Sequence, residues 1–204
     1  MSIVTLNDRG VRSVTTFGSL NTGSMVFIKK LTASSSSDLS FVNGTSDVVL
    51  DSTYKEYLFT FNNIHPATDG AHFQVNFRDG STAYDATKTS TMFRAYHRED
   101  DGGNALSYVT GGDLAQSTGS QQLGQSVDAD NDSSLSGILH LFDPSSTTFV
   151  KHFIARSQEV TYQTTSQEFY VAGYCNVTAA IDGLQFSMSS GNIYSGTFKL
   201  YGVV

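Results

Sequence analysis

Apolar and polar residues alternate with a period of two over most of the chain, the pattern of strands that bury one face. Leu184, Phe186 and Met188 alternate with polar neighbours. After the turn chemistry of Ser189-Ser190-Gly191-Asn192, Phe198, Leu200 and Gly202 fall on one side, with Thr197, Lys199, Tyr201 and Val203 on the other. Asp51 to Asn63 is the densest aromatic stretch, with Tyr57, Phe59 and Phe61 on one face, and Ile64-His65-Pro66 is expected to break it. Phe73, Val75 and Phe77 alternate with His72, Gln74 and Asn76 before the Asp79-Gly80 turn. Further strands are predicted over Met25 to Leu31, Leu39 to Val42, Ser90 to His97, Gly137 to Phe142, Thr147 to Ala155 and Phe169 to Val177. About ten strands with no stretch apolar at i, i+3, i+4 predict an all-β fold: a two-sheet antiparallel β-sandwich, with a jelly roll as its expected form.

Two segments depart from this pattern. Residues 1–24 lack a continuous apolar face and are punctuated by Gly, Ser and Thr, so they read as an extended N-terminal arm that gains order on another surface. Residues 25–204 then form a single β-sandwich domain, a length that supports one core without disulfide or metal. Within that domain Glu99 to Gly137 is almost wholly Gly, Ser, Gln, Asp and Asn, which predicts a long irregular loop at about 99–136.

Charge narrows the partners. Twelve Lys and Arg against nineteen Asp and Glu give a net charge of -7, and Lys29-Lys30 is the only adjacent basic pair. That excludes a phosphate-binding surface, so no nucleic acid is expected. No apolar run approaches the roughly 20 residues of a membrane span, and MSIVTLNDRG holds no signal-peptide core, so neither membrane insertion nor Sec export is expected. The single cysteine, Cys175, lies in an alternating strand and reads as a buried thiol.

Candidate chemistry is sparse. Asp128, Asp130 and Asp132 stand at alternate positions as an EF-hand loop begins, but Ser133 replaces the required glycine and Leu139 the required glutamate, leaving a solvated acidic loop as the expected reading. His65, His72, His97, His140 and His152 form no HxH or HExxH pattern, although His140 and His152 lie on strands that can approach across a sheet. There is no G-x-S-x-G elbow. No catalytic residue, cofactor or metal site is expected. The sequons at Asn43, Asn131 and Asn176 read as chance in a Ser/Thr-rich chain. Tyr84, Tyr108, Tyr162 and Tyr194 lie beside loops, where exposed rings can stack on sugars.

The strings SSGNIYSGTFKLYGV, DSTYKEYLFTFNNIHPATDGAHFQVNF and LFDPSSTTFVKHFIA, with the opening TLNDRGVRSVTTFGSLNTGSM, resemble small β-rich virion proteins of tailed bacteriophages, especially marine phages such as cyanophages. GTFKLYG is the most distinctive piece, and Glu99 to Gly137 matches least. The resemblance implies a non-enzymatic jelly-roll structural protein of the virion, in a tail fibre, head fibre or capsid decoration, assembled in the host cytoplasm. It implies contact with other virion proteins through residues 1–24 and a homo-oligomer, a trimer being a common form. The alternative is a receptor- or carbohydrate-binding module for host attachment, which takes a host surface glycan through the 99–137 loop and its neighbouring tyrosines.

Overall fold

The computed structural model describes residues 24–204; the expected arm, 1–24, lies outside them but for its last residue. Among the described residues twelve strands form two antiparallel sheets. They are β1 (Met25–Ser36), β2 (Asp38–Val42), β3 (Glu56–Pro66), β4 (Phe73–Arg78), β5 (Lys88–Arg98), β6 (Asn104–Tyr108), β7 (Gln121–Gln122), β8 (Leu135–Phe142), β9 (Lys151–Thr161), β10 (Thr165–Cys175), β11 (Gly183–Met188) and β12 (Ile193–Val203). The larger sheet runs β1-β12-β3-β8-β9-β10-β5-β6 and the smaller β2-β11-β4-β7. The fold is therefore all-β, with two antiparallel sheets as the alternation requires.

The core forms where the inward rows of the two sheets meet. Phe73 and Phe186 stack at 5.8 Å, and Phe59, Phe61 and Phe198 pack around them at 5.1–6.1 Å. Each of these rings is buried, and the offset and edge contacts are those aromatic quadrupoles favour.

Three strand assignments differ from the sequence expectation. β3 does not stop before Pro66: the register slips between Phe61 and Ile64, with Asn63 at φ 52°. This bulge changes which parity faces inward, so Ile64 is buried where Asn63 would have been, and His65 turns outward. Gly196 on β12 faces the bulge at φ 146°, where an added Cβ would lie 2.6 Å from Ile64 Cδ1. Second, β9 and β10 run on to Thr161 and back from Thr165, because Ser157, Glu159, Thr161, Thr165 and Gln167 point inward despite being polar. Third, the 99–137 stretch holds β6 and β7. β6 extends the large sheet beyond β5, while β7 pairs with β4. Leu123 and Val127 from this stretch are buried, and Val127 bridges to both Ala71 and Thr161, so the stretch closes the sandwich above the polar ends of β9 and β10.

Candidate functional site

Register places six strand ends at one pole of the large sheet. Ile193 of β12 pairs with Pro66, Ile64 with Leu135, Leu135 with Glu159, Thr161 with Thr165, and Thr165 with Arg98. Five interstrand steps of about 4.8 Å make this row about 24 Å long. Two polar clefts open along it.

The first cleft, of about 310 Å³, joins the β3 bulge to the long loop and the start of β12. Asn63 and His65 face Asn131, Asp132 and Ser133 across it, with Tyr194 alongside. His65 Nδ1 donates to the Ser133 carbonyl at 3.0 Å, which fixes the ring and leaves Nε2 as its free nitrogen. Tyr194 meets His65 edge-on at 5.7 Å and is 56% exposed. Of the four tyrosines singled out from sequence, Tyr194 alone lines this cleft.

The second cleft, of about 190 Å³, lies on the inward side of β5 and β10. Its walls are Arg94, Tyr96 and Arg98 from β5, Thr165 and Gln167 from β10, and Ser126, Thr161 and Gln163 around them. Arg98 holds Asp100 through Nε and Nη2 at 3.0 and 2.9 Å. Arg94 Nη1 donates to Gln167 Oε1 at 3.0 Å, and its guanidinium lies 5.4 Å from the Tyr96 ring. Gln167 Nε2 in turn donates to Glu159 Oε1 at 3.1 Å, as does the Gln125 backbone N–H. Glu159 is fully buried, and desolvation pushes its carboxyl well above the usual range. Among the described residues its Oε2 and Arg94 Nε have no hydrogen-bond partner. Tyr162, in the turn between β9 and β10, is 49% exposed with its ring beside Gly70.

The remaining candidates have local roles. Asp128 Oδ1 accepts from the Asp130 N–H and Oδ2 from Ser133 Oγ, so this carboxylate organises the loop that shapes the first cleft. Among the described residues no three His, Cys, Asp or Glu side chains gather as a metal-ion set. His140 and His152 lie on the adjacent strands β8 and β9, two residues out of register, and each has its own partner: His140 bonds Glu56, and His152 packs against Tyr174. Tyr108 donates to Asp113, away from both clefts.

Sequence reasoning missed two buried cations. Lys88 and Lys151 flank the buried Cys175 in one row across β5, β10 and β9. Lys88 Nζ donates to Asn76 Oδ1 and the Ala86 carbonyl, and Lys151 Nζ to the carbonyls of Ser146, Val177 and Ala179. Each ammonium thus ties loops together at the pole opposite the clefts. Burial lowers the Lys88 pKa to about 8 and raises the Cys175 thiol to about 12. The available signal was parity, since Lys151 shares the inward parity of Phe153 and Ala155.

Compared with known proteins, the chain matches no family model, no curated protein and no solved structure.

Proposed function

We propose that this chain is a non-enzymatic structural protein of a tailed-phage virion, a fibre or capsid-decoration component built on a jelly roll. The observation that carries the reading is nested strand pairing. β1 pairs with β12, β2 with β11, β3 with β8 and β4 with β7, while β12 joins β1 to β3 and β11 joins β2 to β4. A long hairpin rolled into two Greek keys has this order, and it is the architecture implied by the resemblance of GTFKLYG and its companion strings. In this reading β5-β6 and β9-β10 are insertions that widen one sheet. The outward side of the widened sheet exposes Phe93, Leu106, Tyr108 and Ile154, which supports contact between copies. Residues 1–24 serve as the attachment to neighbouring virion proteins. Antibody against the folded domain should label intact particles, and deleting residues 2–22 should abolish incorporation while the domain stays soluble. Normal incorporation of the deletion would refute the anchoring role, and unlabelled particles would refute the virion assignment.

A second reading, a carbohydrate-binding module for host attachment, is favoured by the first cleft. Tyr194 presents an exposed ring beside His65, Asn63 and Asp132, which offers a stacking face together with donors and acceptors for sugar hydroxyls. A glycan array on the purified chain and on Tyr194→Ala tests it; a blank array removes this reading and leaves the first.

A further inference from the structure

We infer that the cleft between Arg94 and Arg98 is the subsite for the carboxylate of an acidic sugar, at one end of a polysaccharide track that runs along the pole to Tyr194. The inference rests on the carbohydrate-binding reading of that pole and names the class of ligand.

Charge is the first argument. The chain carries nineteen acidic and twelve basic residues, yet the walls of this cleft hold two arginines and no Asp or Glu. The other walls are hydroxyl and amide groups, which are partners for a hydroxylated ligand.

Arginine geometry is the second. Of the four arginines among the described residues, three engage carboxylates: Arg78 with Asp182, Arg98 with Asp100 and Arg156 with Glu168. Arg78 and Arg98 do so through the Nε/Nη2 edge, the fork that matches the two oxygens of a carboxylate. Among the described residues Arg94 has no carboxylate on this edge, and its Nε is buried without an acceptor. Leaving a charged donor unpaired is costly, and a carboxylate supplied from outside removes that cost. Gln167 holds Nη1 and the Tyr96 ring lies 5.4 Å from the guanidinium, so the side chain is held on the wall of the cleft. Glu159 makes no ion pair with Arg94: Gln167 stands between them, accepting from Arg94 Nη1 and donating to Glu159 Oε1, and burial raises the Glu159 carboxyl although the Arg94 charge opposes the shift.

Size and placement point to a sugar within a chain. About 190 Å³ is below the range of drug-sized pockets and suits a single ring. Tyr162 and Tyr194, each about half exposed, lie further along the same 24 Å row, where successive rings can stack.

The test is a set of uronic-acid oligosaccharides, each paired with its neutral methyl ester and accompanied by sulfated neutral oligosaccharides, arrayed and then titrated calorimetrically against the full chain. Acids should bind at least about tenfold more tightly than their esters, and Arg94→Gln should bring the acids down to the ester level. Tyr194→Ala should weaken acids and esters alike. If Arg94→Gln does not fold, Arg98→Gln, whose side chain is well exposed, should reduce the same acid preference. Equal binding of acids and esters, unchanged by either substitution, overturns the carboxylate subsite while leaving the carbohydrate reading standing. Binding of sulfated sugars alone overturns it as well, and binding of no oligosaccharide ends both.

Discussion

Replacing Glu159 with glutamine should flatten the pH dependence of stability. In the folded protein this carboxyl is fully buried, receives two N–H donors on Oε1 and leaves Oε2 without a partner. Its folded pKa is raised far above the ordinary 4.5 by desolvation, with the hydrogen bonds from Gln167 and Gln125 opposing. An acid with a raised folded pKa binds more protons folded than unfolded. Its contribution is fully present below the unfolded pKa and is lost as pH rises toward the folded one. Each pH unit in that window costs about 1.4 kcal/mol. From about pH 5.5 upward the native chain should therefore lose stability at up to that slope relative to Glu159→Gln, which keeps an acceptor for both donors and cannot ionise. For a domain of this length that is about 2–4 °C of Tm per kcal/mol. The assay is urea unfolding of both proteins at a series of pH values from there upward, read as the change in their difference, which cancels every other titrating group. Parallel pH curves for the two proteins would refute the reasoning.

Three further outcomes follow from the core and the strand contacts. Phe186→Ala removes the ring at the centre of the aromatic cluster and should cost about 3–5 kcal/mol, measured by denaturant midpoint. Gly137→Ala would put a Cβ 2.4 Å from the Arg156 carbonyl oxygen and 2.8 Å from Ser157 Cα, both backbone atoms of β9, so thermal unfolding should show a loss of about 3 kcal/mol. Cys175, buried and with its thiol raised to about 12, should resist Ellman's reagent at neutral pH until urea unfolds the chain; prompt reaction of the native protein would contradict its placement.

The sheets were legible wherever inward residues are apolar. Phe73-Val75-Phe77, Leu184-Phe186-Met188 and Phe198-Leu200 stand inward as their alternation requires. The pattern failed where the inward row is polar. Glu159, Thr161, Thr165 and Gln167 face inward under the long stretch after β5, and there the neighbouring layer is backbone and amide instead of rings. β6 and β7 were hidden for a related reason. Leu106 and Tyr108 lie on an exposed edge strand, and β7 is two glutamines held by β4. The clefts were beyond reach of local pattern because their residues come from segments far apart in the chain: His65 meets Ser133, and Arg94 meets Gln167. Tyr162 and Tyr194 were visible as loop-side aromatics, but their place on one pole follows from strand register alone.

The pairing of β1 with β12 sets a timetable for synthesis. Met25 is matched to Val203 and Ser36 to Ile193, so β1 leaves the ribosome about 160 residues before its partner exists. At about 5–20 residues per second that delay is about 8–30 s. Until then β1 waits with its hydrogen-bonding edge open, and when many copies are translated together the β12 of another chain is equally acceptable to it. Strand exchange through β1 is the misassembly this topology invites, and rapid closure by β12 is what protects against it.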